Sequence, residues 1–439
     1  TSNLAELGIA TDNREETVTT EARLEFSLEN WTGLIGAYYF DFASDANNTA
    51  TLLLAQSFPF LIEPLDSAAV AGTKSGTTTE NYALFTSWRW ELNERWAFDF
   101  GLRYDREQFV TVQDTFDVVV LPDDCAATFP GELIGLAPGL ITLPCSAGAD
   151  ILRPPLEPLQ SDEFSAVLPK FAATYSFTED FSVFASARRG YRAGGTELST
   201  SVFGSQFEVI VFEPEFLLGF EAGVRSTWAD GRLTVNGTLF FSDYEDQQVR
   251  VQNNAGVFIT VNAGETSLYG VELSSEFIVS DHWTVYGNAG LLNTNIDDFP
   301  FDDFGGEPVD LSGNELDRSP ALSSTIGVTY DNSNGIFGSA SLNYRSSEWS
   351  DIFNLGPNEL GPGLSEQVGR SLLLNAQIGF KTERFTVSLF GSNLLDEDEA
   401  ESINFASVGL LNGSEGFSEQ ATFNIRRPRA FGVSIDMSI

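Results

Sequence analysis

The sequence predicts an all-β fold, a transmembrane antiparallel up-and-down β-barrel of which about fifteen strands are present. Three observations predict it. Apolar residues recur at every second position in segment after segment, the period of a strand with one greasy and one wet face. Connections between these segments alternate strictly between short turns and long loops, which gathers the turns at one end of the sheet and the loops at the other. Composition agrees: 37 Phe, 11 Tyr, 7 Trp and 39 Gly accompany one His and one Met, a balance that favours strands and turns over helices.

In chain order, Thr1 to Thr20 carry charge and turn formers without a period and read as a loop. Leu24, Phe26 and Leu28 form the first strand, with a turn expected at Trp31-Thr32-Gly33 and a return through Leu34, Gly36, Tyr38 and Phe40. Tyr82, Leu84, Trp88, Trp90 and Leu92 share one face; past Asn93-Glu94, Trp96, Phe98, Phe100, Leu102 and Tyr104 share the matching one, opposite Asp99, Arg103 and Asp105. Val167 to Phe177 and Phe181 to Arg192 flank the turn Thr178-Glu179-Asp180. Phe216, Leu218, Phe220, Ala222 and Val224 then pair with Leu233, Val235, Leu239 and Phe241 across Trp228-Ala229-Asp230-Gly231, where glycine supplies the positive φ of a tight turn. Further pairs flank Ser280-Asp281-His282, Asp331 to Gly335 and Thr382-Glu383, and Phe431, Val433, Ile435, Met437 and Ile439 form the last strand. Long loops are expected at about 43–79, 111–160, 193–215, 247–264, 295–318, 350–368 and 396–420.

A sandwich or propeller would also cover such strands, but neither segregates long and short connections by end. Sixty-three Asp and Glu against 23 Lys and Arg give a net charge of −40, which repels nucleic-acid phosphates and anionic lipid head groups. No run of 18 apolar residues marks a transmembrane helix. Thr1 opens no signal peptide, so either a leader has been removed or the chain begins within a longer protein. Lipid tolerates no open sheet edge, and an odd strand count starting from the long-loop side predicts that residues 1–439 are the C-terminal part of a larger barrel, as a single domain. Trp31, Trp88, Trp90, Trp96, Trp228, Trp283, Tyr104, Tyr244, Tyr330 and Tyr344 are expected in the girdles at the two membrane surfaces.

Five segments carry a family resemblance: Ser186-Ala187-Arg188-Arg189-Gly190-Tyr191-Arg192-Ala193-Gly194-Gly195; Phe212-Glu213-Pro214-Glu215 with Phe220-Glu221-Ala222-Gly223-Val224-Arg225; Tyr269-Gly270-Val271-Glu272-Leu273; Gly391-Ser392-Asn393-Leu394-Leu395-Asp396; and Arg427-Pro428-Arg429-Ala430-Phe431-Gly432-Val433. Their order and placement at strand ends resemble TonB-dependent outer-membrane receptors over Phe164 to Ile439. The resemblance implies a 22-stranded barrel holding an N-terminal plug, contact with the energy-transducing TonB protein through that plug, and uptake of a scarce nutrient, most often a ferric siderophore. It also implies the outer membrane of a Gram-negative bacterium and its lipid as surroundings. One departure is the terminal Ile439, where such barrels end in an aromatic.

Arg188, Arg189, Tyr191 and Arg192 stand where a strand enters a long loop and are candidate ligand-binding residues. Guanidinium groups hold carboxylate or phosphate bidentately, though pairing with acidic residues on neighbouring strands is the alternative. Cys125 and Cys145 lie in one irregular segment, either as a disulfide or as two unpaired thiols. The acidic stretch Asp297 to Asp317 either gathers cations or is a solvated face, and no metal site is assigned. Apolar loop segments such as Leu52 to Ile62, Leu133 to Leu136 and Leu140 to Leu143 either pack among themselves or meet substrate or a surface protein partner. A lone His282 in a turn and no catalytic motif speak against an enzyme, and no cofactor is implied. The alternative functions are a surface-binding or scaffold barrel without transport, and a passive porin.

Overall fold

The structure is a computed structural model describing residues 6–53, 68–120, 127–130, 140–143, 161–200, 207–252, 258–262, 264–301, 309–354, 367–408 and 418–437. Fifteen strands make one sheet: β1 Glu6–Ser27, β2 Trp31–Leu53, β3 Ala68–Glu91, β4 Trp96–Val120, β5 Ser161–Thr178, β6 Phe181–Arg192, β7 Glu215–Trp228, β8 Leu233–Glu245, β9 Glu265–Ser280, β10 Trp283–Asp298, β11 Leu322–Asp331, β12 Ile336–Arg345, β13 Ser371–Lys381, β14 Phe385–Ser392 and β15 Ala430–Met437. Each pairs antiparallel with the next in sequence, the order of an up-and-down barrel wall. Among the described residues no pairing joins β1 to β15.

Register explains how the period of two becomes a surface. On β1 to β4, the outward side chains line up as Phe26–Gly33–Trp88–Phe100, Leu24–Ile35–Thr86–Leu102, Ala22–Ala37–Leu84–Tyr104 and Thr20–Tyr39–Tyr82–Arg106. The next row, Val18–Asp41–Glu80–Gln108, is polar at three of its four positions and ends the greasy band. Below lies an aromatic rim in which Trp31 stacks on Trp90 with ring centroids 5.2 Å apart and Trp96 meets Tyr175 at 4.7 Å. Ten residues separate Trp96 from Arg106, which at ~3.3 Å each and a tilt of about 40° makes a band ~25 Å tall, the hydrocarbon thickness. The apolar side chains of this band are exposed from one end of the sheet to the other, Leu239 at 58% on β8 and Ile435 at 68% on β15, as a lipid-facing wall requires.

The short connections are built from local hydrogen bonds. Ala229, Asp230 and Gly231 are all left-handed (φ 55°, 56° and 85°), so glycine alone does not make the β7–β8 turn. Asn93 Oδ1 accepts the Arg95 and Trp96 amides at 2.9 Å each, and Asn332 Oδ1 accepts those of Asn334 and Ile336. Gly335 has φ 87°, and a Cβ there would fall 2.2 Å from the Lys381 carbonyl oxygen. Register is pinned further along by inward rings lying across directly opposed glycines, Phe85 over Gly36, Tyr286 over Gly327, Phe337 over Gly379 and Phe390 over Gly432.

Several expectations are corrected. Residues 6–20, read as loop, belong to β1, and segments 43–53, 68–79 and 111–120, placed in loops, continue β2, β3 and β4 beyond the membrane band. The first turn lies at Leu28 to Asn30 rather than Trp31 to Gly33, which shifts the outward set of β2 to Ile35, Ala37 and Tyr39. Tyr244 sits opposite Leu217 on the lumenal face and not in a girdle. Six long connections carry hairpins, among them Gly195–Thr200 with Phe207–Phe212, Gln248–Gln252 with Phe258–Asn262, and Ala400–Val408 with Ser418–Ile425. Among the described residues these connections build a buried apolar cluster with the end of β10: Ile259, Ile296, Phe299, Leu311, Leu316 and Ile352. Hydrocarbon takes the place of a core around the wall, so a protein-lined core forms where loops meet water.

Candidate functional site

Two cavities open at the long-loop end and share one wall. The lower one, about 630 Å³, lies on the lumenal side of β2 to β6. Strand alternation sends Arg103, Asp105 and Glu107 of β4 inward, with Asn81 of β3 opposite Glu107. Asn81 Nδ2 donates to Asp105 and, at 3.1 Å, to Glu107 Oε2; Arg103 Nε donates to the other Asp105 oxygen. Arg103 also lies 5.4 Å over the Tyr38 ring. Asp105 and Asn81 are buried, so this carboxylate is held by direct donors rather than by water. Two buried atoms of the rim, Asn81 Oδ1 and Tyr191 Oη, have no hydrogen-bond partner among the described residues.

Gln248 separates this cavity from the upper one. It is 9% exposed, its backbone N donates to Glu215 Oε2 at 2.7 Å, and its Nε2 donates to the carbonyls of Ala193 (2.7 Å) and Glu213 (3.1 Å). Asn262 Nδ2 reinforces the same wall through the Glu213 and Asp246 carbonyls at 2.9 and 2.7 Å. The β6–β7 and β8–β9 connections are thereby tied at one point.

The upper cavity, about 650 Å³, is lined by Gln247, Gln248, Asp317, Arg318, Ser350 and Asp351 over an apolar floor of Leu316, Ile352 and Ile403. Burial pushes the Asp351 and Asp317 carboxyls up from the ordinary range, Arg318 opposing the shift at Asp317. Burial likewise raises Glu348, against the pull of Arg345, whose Nη1 lies 3.0 Å from Glu348 Oε1. By contrast, Asp310 is lowered by hydrogen bonds from the Ser312 hydroxyl and amide. Ser350 Oγ, buried beside this cavity, has no hydrogen-bond partner among the described residues.

Of the four residues singled out in the sequence, Tyr191 and Arg192 line the lower cavity. Arg188 turns to Glu221 on β7, with Nη2 and Oε1 2.7 Å apart, and Arg189 stacks 4.1 Å over the Phe216 ring on the opposite face. Cys125 and Cys145 lie outside the described residues, as do Asp302, Asp303 and Glu307 of the acidic stretch. Described residues hold no group of three His, Cys, Asp or Glu side chains placed to bind a metal ion. His282 sits in its turn with Nδ1 3.1 Å from the Asp331 carbonyl. Sequence reasoning missed Asn81, Glu107, Gln248, Ser350 and Asp351; the run of charge at every second position from Arg103 to Glu107 was the available signal for part of this set.

This geometry has known relatives. The pesticin receptors of Yersinia enterocolitica and Yersinia pestis are each 22% identical to the chain over 363 and 368 residues, 82% of this chain and 44% of the receptor. The chain thus spans less than half the length of the curated relatives it matches. Among solved structures, the ferric yersiniabactin uptake receptor FyuA from Yersinia pestis matches 98% of this chain and 55% of its own, with a TM-score of 0.68 at 18% identity. The closed form of the ferric-catecholate import receptor Fiu from E. coli K12 matches 97% and 64%, with 0.56 at 15%. At these identities the structures speak for the fold alone. The profile described as TonB dependent receptor-like, beta-barrel matches residues 2–394. The chain belongs to the TonB-dependent receptor β-barrel family.

Proposed function

We propose that the chain is the C-terminal barrel portion of an outer-membrane receptor that takes up a scarce nutrient, a ferric siderophore, by a TonB-driven mechanism. The observation that carries this reading is the pair of polar cavities stacked at the long-loop end of a wall from this family. Short turns then face the periplasm and long loops the outside, so ligand enters the upper cavity first. Support for further strands comes from the two edges of the sheet: lipid offers no partner to the unpaired groups of β1 and β15, so neighbouring strands must close the wall, about seven if the total is 22. Arg103, Arg192 and Arg318 supply donors for anionic oxygens of a ligand, and Tyr38, Tyr191 and Phe212 supply flat apolar contacts. Coupling to TonB would pass through a plug in the lumen.

The test is uptake of radio-iron by cells expressing the full-length receptor under iron starvation, with a panel of ferric siderophores offered one at a time. Dependence of uptake on both the receptor and TonB for at least one siderophore is expected. Equal uptake by a receptor-deletion strain across a panel that other receptors in the same cells transport would overturn the reading.

A further inference from the structure

The lumenal face of β3 to β5 collects acceptor oxygens without donors to match. Asn81, 7% exposed, holds its Nδ2 between Asp105 and Glu107, and turning the amide over would set Oδ1 against both carboxylates. The two acids therefore fix its orientation and leave Oδ1 on the lower cavity, a buried acceptor with no hydrogen-bond partner among the described residues. Tyr191 Oη, on the same cavity, is also without one. Asp162 lies on the same face of β5, two residues before Phe164, which stands opposite Glu107; its buried Oδ2 likewise has no partner among the described residues. Of the arginines on this cavity, Arg103 is bonded to Asp105, and Arg192 is exposed at the rim. Among the described residues no cation is bonded to Glu107 or Asp162.

We propose that the lower cavity recognises a protonated primary amine carried by the ferric chelate that the receptor takes up; that the amine belongs to the cargo rests on the uptake reading above. A primary ammonium brings three N–H donors, no acceptor and a positive charge, the complement of buried acceptor oxygens beside a carboxylate with no cation of its own. Hydrogen bonds from a cation to Asn81 Oδ1 and to the Glu107 carboxylate are of the strong, charge-assisted kind. A metal ion fits less well, because hard cations gather about six or more oxygens at one point, and the described residues hold no group of three acidic side chains so placed. An oxyanion fits worst, since it would face Asp105 and Glu107 in the same cavity; anionic oxygens of the ligand go to Arg192 at the rim instead. The net charge of −40 acts in the same direction, drawing cations to the mouth.

The test uses the full-length receptor in deuterated micelles with n-butylammonium as the probe, its binding read by saturation-transfer NMR. Tetramethylammonium, which has the charge without the N–H, and butyrate, which has the opposite charge, are the comparison ions. Glu107→Gln removes the charge and keeps an oxygen for Asn81, Asn81→Leu removes the acceptor at similar bulk, and Asp436→Asn on β15 is the control. Wild type and control are expected to bind n-butylammonium in preference to both comparison ions, and each of the other two variants to bind it at least about tenfold more weakly. Folding is read from heat-modifiable mobility, and Glu107→Gln carries the test if Asn81→Leu does not fold. Three results would overturn the proposal: equal binding by wild type and Glu107→Gln, a comparison ion bound as well as n-butylammonium, or no binding by wild type because water or a basic side chain of the plug already holds these oxygens. Failure of the uptake reading would show separately, as an empty radio-iron panel beside an intact n-butylammonium site.

Discussion

Replacing Gln248 with leucine removes the tie between the two cavities at constant bulk. Its Nε2 serves two carbonyls, and their situations differ. The Glu213 oxygen keeps a second donor in Asn262 Nδ2 at 2.9 Å, whereas no other donor to the Ala193 oxygen is found among the described residues. One newly orphaned buried carbonyl costs about 1–3 kcal/mol, and losing one of two shared bonds adds a fraction of that, so about 2 kcal/mol of local stability is lost. That is a factor of about 30 in the equilibrium for opening the wall. Hydrogen exchange on the full-length receptor in micelles reads it at the amides of Glu213, Asp246 and Gln248, which bond within this wall. Gln248→Glu sharpens the test, because it puts an acceptor where a donor was, beside the Glu215 carboxylate. Such a carboxyl has a raised pKa: its stabilising, protonated form is fully present below the ordinary carboxylate range and is lost as pH rises through the raised value. The glutamate variant should therefore exchange fastest at neutral pH and converge towards wild type in acid, while the leucine variant shows no such convergence. Exchange at these three amides unchanged in both variants would refute the assignment of Gln248 as the tie.

On the lipid face, Val433→Arg places a charge in the band at β15 and should cost about 2–4 kcal/mol if near the midplane, measured by urea unfolding in bilayers, while Asp436→Asn on the lumenal face changes little. Gly432→Leu drives a side chain into the Phe390 ring, which a Cβ alone would meet at 2.3 Å, and should reduce the heat-resistant folded fraction on gels. In the upper cavity, Asp351→Asn removes a carboxyl raised by burial. Wild-type loops should be more resistant to proteolysis in acid and lose that advantage as pH rises through the raised Asp351 pKa, and the variant should flatten this dependence. Among the arginines, Arg192→Ala should weaken ligand binding without shifting the melting temperature, whereas Arg188→Ala breaks a half-exposed pair with Glu221 and should change stability by no more than about 1 kcal/mol.

How much of this was legible in the sequence depends on which solvent each face meets. Alternation of apolar and polar residues is a record of one face in hydrocarbon, so it marks the strands well through the ~25 Å band and disappears above it. Beyond that band neither face of β1 to β4 is selected for hydrocarbon, and Thr17, Thr19, Thr77, Thr78 and Thr79 keep strand propensity without a period. The extra lengths of those strands were therefore invisible to periodicity, although the ladders continue unbroken to Leu53 and Val120. The site divides along the same line. Arg188 and Arg189 were grouped because they are adjacent, yet adjacency on a strand means opposite faces, and parity alone would have sent one to Glu221 and the other to Phe216. Gln248 had no such clue. Its importance comes from reaching, out of the β8–β9 connection, two carbonyls at opposite ends of the β6–β7 connection, an encounter fixed by the register of β6, β7 and β8 and by loop hairpins that no local pattern encodes. Wherever membrane writes on one face of this chain, the sequence can be read residue by residue; where binding is organised, in the wet loops above, position is set by pairing between distant segments and has to be seen.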